Sequence, residues 1–238
     1  TSAFDFGGFW GTAACLEEFD KEWTHYCRRH GGVSEFVRLH PDSLVPPSYQ
    51  VRKVRENVVV PLAGDYEAAF DPKLRTDLRK ADSNNLLRDV VPWGWFVELH
   101  HAQVRKLGRD PYYLFPLEWL AALPSVFCVG AYETMLLPYG GETIGELYAA
   151  HVYVRDGPRL FYFLSASDPE TLHLKPNDFL INEMLRWAKE VGFKEVYLGG
   201  GSPESLMHFK RKWSPSTIPY LTASRIFLPR LYGSLSNG

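Results

Sequence analysis

The sequence predicts an α/β fold with mixed central sheets flanked by helices. Three observations carry this. Segments of helical and strand period alternate along the chain, with no fixed repeat or low-complexity stretch. The stretches "SVFCVGAYE", "TIGELYAAHVYV" and "LFYFLSAS" are apolar on both faces, as strands in the middle of a covered sheet are. A strand–helix–strand run between residues 160 and 198 then makes a right-handed crossover with two parallel strands.

The elements follow in order. Leu16, Phe19, Trp23 and Cys27 fall at helical spacing between Thr12 and His30, and Gly31-Gly32 ends that helix. "VSEFVRLH" (33–40) reads as a strand stopped by Pro41, and its prolines make "PDSLVPPS" a loop. "YQVRKVRENVVVPL" (49–62) reads as a hairpin or two short strands around Glu56-Asn57. Asp71 caps a helix with Pro72 in its first turn, continuing as "KLRTDLRKA". A strand at 86–91 precedes a helix at 94–107 with Phe96, Leu99, Val104 and Leu107 inward, and "PLEWLAAL" (116–123) is a shorter helix. "RDGPR" turns the chain between two antiparallel strands. In "KPNDFLINEMLRWAKEVG", Asn177 is the expected N-cap and Gly192 the stop, while Leu180, Ile181, Met184, Leu185 and Ala188 form one buried stripe. "FKEVYL" is the next strand.

Composition narrows the function classes. Hydrophobic residues are 45% of 238 and aromatics 15%, enough for a sizeable core and too many for a disordered chain. The formal charge of −2 argues against a broad basic surface that grips any nucleic acid. Cys15, Cys27 and Cys128 form no CxxC pair and no zinc spacing, so reduced, structural thiols are expected. No stretch approaches the roughly 18 apolar residues of a membrane span, and no signal peptide is visible. A cytoplasmic protein is therefore expected. Without a Walker motif, GxGxxG or GxSxG, nucleotide hydrolysis, dinucleotide redox and a serine elbow lack support. His100-His101 has no HExxH or carboxylate companion, so packing is expected there and no metal site.

The segment that asks for chemistry is "YLGGGSPESLMHFKRKW" (197–213). A buried strand runs into Gly199, Gly200 and Gly201, which permit positive φ and the close approach of a ligand or another backbone. Open sheets bind ligands beyond the carboxyl ends of such strands. Ser202 is a candidate cap and Pro203 a first-turn residue for a helix carrying His208, Phe209 and Lys210 near the same mouth. The competing reading is a plain strand-to-helix turn with an exposed basic stretch, and Phe209 as a core residue.

Several pieces then align with one family. "LGGG…L..FK" resembles the signature of the Fem-type branch of the GNAT acyltransferase superfamily. In the same order, "DFGG" (5–8), "GVSEFVRLHP" (32–41), "RTDLRKA" (75–81), the block "LKPNDFLINEMLRWAKEVGFKEVYLGGG" and "LYGSL" have counterparts in that family. The resemblance covers nearly the whole chain. It implies two GNAT-like lobes, here 1–91 and 92–238. Family members usually carry more chain before "DFGG", so it implies a first lobe without its opening strands. The long charged helical arm of some members has no match.

The resemblance also implies function. Such enzymes transfer an acyl group, often an aminoacyl group from charged tRNA, to an amine, using no metal and no tightly bound cofactor. Partners would be the acceptor end of aminoacyl-tRNA and an amine on a peptidoglycan precursor or a small molecule. Lys210 matches the family's lysine. With an ordinary pKa of about 10.4 it suits an electrostatic role on the carbonyl oxygen, not that of a base. Phe209 would pack on the acyl or adenosine end, and the three glycines would border the substrate. Arg38 matches the arginine of the family strand and is a candidate for an acceptor's phosphate or carboxylate; a pairing with Glu35 or an edge-strand charge is the alternative. Arg79 shares a helix face with Arg75 that can hold phosphate, though Asp77 and Asp82 dilute it towards a solvated face. Asn177 is a further candidate contact beside its capping role. The turn "ETLHLKPNDF" stands where a CoA-binding GNAT domain has a glycine-rich pyrophosphate loop; it has no glycine, and Pro176 removes a donor, which favours aminoacyl-tRNA over acyl-CoA. An acyl-CoA or acyl-thioester N-acyltransferase and a non-catalytic Fem-like binding module are the alternatives.

Overall fold

The computed structural model describes residues 6–136, 142–201 and 204–236. In chain order the elements are α1 (Ala13–Arg29), β1 (Ser34–Arg38), β2 (Gln50–Pro61), α2 (Pro72–Asp82), β3 (Leu86–Val90), α3 (Trp93–Lys106), α4 (Leu117–Ala122), β4 (Val126–Leu136), β5 (Glu142–Asp156), β6 (Arg159–Ser167), α5 (Pro176–Glu190), β7 (Glu195–Gly199), α6 (Glu204–Arg211), β8 (Thr217–Ile226) and α7 (Pro229–Ser236). Two compact units result. One comprises the residues up to Asn57 with those from Ile218 on; the other is Val58–Thr217. This division differs from the lobes 1–91 and 92–238 read from the sequence. Val58, Val60, Leu74 and Leu78 bury themselves in the second unit's core, whereas the late strand β8 pairs with β1 in the first.

In the first unit β8 lies between β1 and β2. The Thr12 hydroxyl caps α1, accepting from the Cys15 N–H. An ion pair between Arg225 on β8 and Asp20 (2.5 Å) fastens the helix to the sheet. Val37, Leu39, Tyr49 and Ala223 form the small core beneath it. Glu35 accepts from the Trp23 indole at 2.9 Å and from the Tyr49 hydroxyl. The hairpin or two short strands expected at 49–62 are instead the single twelve-residue strand β2. Glu56-Asn57 offers no glycine for a turn, and the β-branched run Val58–Val60 carries the extended backbone onward with only a register shift at Val58/Val59.

The second unit has the strand order β2-β7-β6-β5-β4-β3. Only β6 and β7 pair in parallel; the other pairs whose register is resolved here are antiparallel, so the sheet is mixed. All five expected stripe residues of α5 are buried, and with Leu74 of α2 and Trp213 they build the main core. Helices cover both faces. Tyr162 shares a side with His151, whose ring meets Asn177 of α5, while the next residue, Phe163, faces Trp119 of α4 at 6.4 Å.

In α3 the inward residues are Phe96, His100 and Val104, whereas the expected Leu107 is 56% exposed. Leu107 is already the residue after the helix, where the face turns away. The His100 ring stacks between Phe96 (5.5 Å) and Phe115 (5.8 Å). Burial pushes its pKa down to about 4, and His101 and Arg109 push the same way. Between pH 6.5 and 4 the unfolded chain takes a proton on this ring that the fold refuses. Stability is therefore full above pH 6.5 and falls towards pH 4, by about 3 kcal/mol for this group. His100→Phe is expected to flatten that part of the acid slope, read as urea midpoints at pH 7 and 4.5. An unchanged slope would show that His100 is not the group that resists protonation.

The cysteines are free. Burial pushes the Cys128 thiol up to about 12 and raises that of Cys27, which keeps both as unreactive packing groups.

Candidate active site

The parallel ladder of β6 and β7 is short. It pairs Arg159–Phe161 with Glu195–Tyr197 and goes no further, although β6 runs on to Ser167 and β7 to Gly199. Just past its end β6 bulges: Tyr162 is opposite Tyr153 but Leu164 is opposite Val152, leaving Phe163 as the extra residue. Bulges of this kind end pairing and re-aim side chains, and they gather at functional sites. The two strands thus part where Tyr162 and the triple glycine stand.

Each described glycine there has its own reason. Gly199 has φ +73°, a left-handed backbone that an L side chain adopts at a cost of about 1–2 kcal/mol. A Cβ on Gly201 would sit 2.7 Å from Leu206 Cγ, so α6 can lie this close only because no side chain intervenes. Gly200 contributes its carbonyl, which accepts from the Lys210 ammonium at 2.6 Å. Ser202 and Pro203, expected to start α6, lie outside the described residues.

Lys210 is only 7% exposed. Its Nζ is 5.5 Å from the centroid of the Tyr162 ring, and a Cβ on Gly199 would be 3.6 Å from that nitrogen. A buried ammonium is held where two strands part, between a carbonyl and an aromatic face. Phe209, beside it, is half-buried and packs against the main core with Lys212 Nζ 5.2 Å over its ring.

A second polar cluster fixes the helix that carries Lys210. Lys212 reaches Asp77 of α2 at 2.9 Å and Asp178 of α5 at 3.8 Å, and Lys175 reaches the other Asp77 oxygen at 3.0 Å. Burial pushes the Asp77 carboxyl up, but hydrogen bonds from Lys212 and Lys175 outweigh it and leave its pKa below the ordinary value. Asp178 is the reverse case: burial leads, and its pKa is raised.

The other predicted site residues fall as follows. Asn177 is not the cap of α5. Lys175 holds that position in left-handed conformation and Pro176 takes the first helical place, because proline has no N–H to satisfy and a φ already set for a helix. The Asn177 carboxamide oxygen is instead 2.9 Å from His151 Nε2. Arg79 is exposed on α2 and bends back to the Arg75 carbonyl and the Thr76 hydroxyl, while Arg75 reaches the carbonyls of Glu67 and Ala68. Arg38 lies in the first unit on β1, its guanidinium 5.7 Å from the Phe36 ring. The second unit thus holds Gly199, Gly200, Gly201, Phe209, Lys210, Asn177 and Arg79.

A family model of the acetyltransferase (GNAT) domain matches residues 68–211, more than half of the chain. The chain belongs to the GNAT acetyltransferase domain family. No curated protein matches it in sequence. Among solved structures this GNAT chain is similar to FemX, at 13% identity and a TM-score of 0.69 over 93% of this chain and 79% of that one. It is also similar to the C-terminal domain of an Agrobacterium fabrum protein described as a lysylphosphatidylglycerol synthetase (14%, TM-score 0.63, 90% and 75% covered). A third is L-PGS from Bacillus licheniformis (16%, TM-score 0.59, 87% and 72% covered). At these identities the likeness is one of fold alone.

Sequence reasoning passed over three residues of this GNAT site. His151 and Tyr162 stand in "TIGELYAAHVYV" and "LFYFLSAS", which read as strands apolar on both faces, although "YAAHVYV" places a lone histidine at strand period with Tyr153, and a polar ring on an apolar strand face needs a partner. Asp77 was taken as surface charge. It stands three residues after Leu74 and four before Ala81, on the buried stripe of α2. Among the described residues no three His, Cys, Asp or Glu side chains gather as a metal site, and no described helix is long and apolar enough to cross a membrane.

Proposed function

We propose that this protein is an N-acyltransferase that moves an aminoacyl group from charged tRNA to an amine of a peptidoglycan precursor or small molecule, in the cytoplasm. The observation that carries the reading is Lys210: a buried ammonium, tethered to the Gly200 carbonyl, at the opening between the ends of β6 and β7. The amine attacks the ester carbonyl directly. Negative charge gathers on the carbonyl oxygen, and Lys210, moving from the Gly200 carbonyl to that oxygen, stabilises it in a site poor in water. Holding donor and acceptor together in one orientation contributes about 7–11 kcal/mol in such reactions. Asn177 and the glycine edge border the donor, with Phe209 packed against its acyl end. Arg79 is assigned to a phosphate or carboxylate group of the substrates.

The name of one neighbour supports an aminoacyl donor, since it is described as a lysylphosphatidylglycerol synthetase. The start of α5 supports it too. Its cap is Lys175 in left-handed conformation and its first residue is Pro176, which leaves fewer N–H groups for a pyrophosphate than a glycine-rich turn has. The test is transfer of radiolabel to a panel of amines from a pool of aminoacyl-tRNAs and, in parallel, from acyl-CoAs. Label passing from tRNA supports the reading. Label passing only from acyl-CoA replaces it with the thioester alternative. No transfer from either, by folded protein, favours the binding-module alternative.

A further inference from the structure

Resting on that acyl-transfer reading, a proton still lacks a carrier. The attacking nitrogen becomes cationic in the adduct and must lose a proton, and the departing oxygen must gain one. Lys210 is held as a donor to carbonyl oxygens and takes neither part.

Beside it stands a set of hydroxyl, imidazole and amide groups. Tyr162 is the first β6 residue beyond the parallel ladder, next to the bulge, with the Lys210 ammonium over its ring. Its hydroxyl is 3.5 Å from His151 Nε2, and the two rings meet edge-on at 4.8 Å. The same Nε2 is 2.9 Å from the Asn177 carboxamide oxygen, and Nδ1 is 3.4 Å from the Tyr153 hydroxyl. These partners fix the tautomer. An amide oxygen only accepts, so Nε2 carries the hydrogen, and the Nδ1 lone pair faces the Tyr153 O–H. With its hydrogen given to Asn177, Nε2 has no lone pair for the Tyr162 hydroxyl, which therefore keeps its own hydrogen to give.

We infer that Tyr162 carries the proton of the transfer, and that His151 and Asn177 are the residues that position it. The amine nitrogen bonds to the acyl carbon. As the adduct collapses, the bond from that carbon to the leaving ribose oxygen breaks, and the oxygen takes the Tyr162 hydrogen with its electron pair. The phenolate then takes the surplus hydrogen from the new amide nitrogen, which restores Tyr162. One proton moves from amine to alcohol and nothing else is consumed. The transient phenolate is met by the nearby Lys210 charge and by Ser165, whose side chain favours the ionised form, while burial and the Asp178 charge oppose it and keep it short-lived. Burial, ahead of all else, pushes Tyr162 up to about 12 and His151 down to about 4, so at neutral pH both rest in the protonation states this step needs.

The test is steady-state kinetics of Tyr162→Phe, which keeps the ring and its packing. Its kcat is expected to fall about 10²–10⁴-fold, as for loss of general acid–base catalysis, with KM little changed. The deficit is expected to shrink with activated-ester donors, whose leaving groups need no proton. Asn177→Asp, which still accepts from Nε2, is expected to keep more of the rate than Asn177→Leu. Full kcat in Tyr162→Phe, or a deficit that appears in KM or ignores the leaving group, overturns the assignment while acyl transfer itself stands. An arm without substrate is nitrogen NMR of histidine-labelled protein. His151 is expected as the neutral Nε2–H form from pH 5 to 8, with its Nε2 shift moved in Tyr162→Phe. The Nδ1–H form would overturn the relay whatever the donor proves to be. Absence of transfer by wild type from any donor would instead remove the reaction on which the relay rests.

Discussion

Lys210→Met is expected to lower kcat about 10²–10³-fold, the range for removing one preorganised donor from a developing oxyanion, with little change in the donor's KM. Methionine keeps the length and apolar stem of lysine and deletes the charge. An interaction made only as the carbonyl oxygen becomes negative is lost from kcat, whereas one made equally to bound substrate would be lost from KM. The substitution also leaves the Gly200 carbonyl without its 2.6 Å donor, so part of the effect falls on stability. An unsatisfied buried carbonyl costs about 1–3 kcal/mol, which a urea titration of the variant measures separately. A folded variant with wild-type kcat would remove Lys210 from the chemistry.

The largest effect on stability is expected at Lys212. Lys212→Met should destabilise the protein by about 3–5 kcal/mol, because it strands the buried Asp178 carboxylate and leaves Asp77 with Lys175 alone. The side chains of Lys212, Asp77 and Asp178 are 10%, 12% and 7% exposed, so water screens them little. Asp178 Oδ1 has no hydrogen-bond partner among the described residues and depends on the ammonium 3.8 Å away. The loss should depend on pH with a definite sign. Asp77 titrates below its ordinary value in the fold, so its contribution is present at neutral pH and is lost as the pH falls through the folded pKa. The gap between wild type and variant therefore narrows in acid. Replacing all three residues, as Asp77→Leu, Lys212→Met and Asp178→Leu, is expected to recover much of the stability, since a buried ion cluster can be exchanged for apolar groups where a single partner cannot be removed. A loss below about 1 kcal/mol for Lys212→Met, the scale of a surface pair, would refute the buried-network account.

Much of this was legible in the sequence, and the reasons are local. The stripe of α5, the Thr12 and Asp71 caps and the parallel pair of β6 and β7 follow from periodicity and capping chemistry, which depend on near neighbours alone. "LGGG" and "FK" were legible as a site because glycine and a basic–aromatic pair each have few reasons to stand at a strand end. What the sequence concealed depends on tertiary pairing. Asn177 had the chemistry of a cap, but Pro176 took the first helical place and His151, twenty-six residues away, took its side chain. Asp77 looked like dilution of a basic face until Lys212, 135 residues away, was placed against it. Tyr162 stands in "LFYFLSAS", which reads as apolar on both faces; the bulge, the end of the ladder and the nearness of Lys210 belong to the fold.

The division of β2 at Asn57/Val58 bears on the order in which the chain assembles during synthesis. Val58–Thr217 is one uninterrupted stretch, whereas the first unit is written in two pieces that bracket it. On the ribosome, β1 and the start of β2 emerge before the second unit, yet the strand that belongs between them is β8, which emerges after it. The nascent first unit is thus left with unpaired strand edges while the second unit can already close its own core, a period in which a chaperone or a wrong strand has its opportunity.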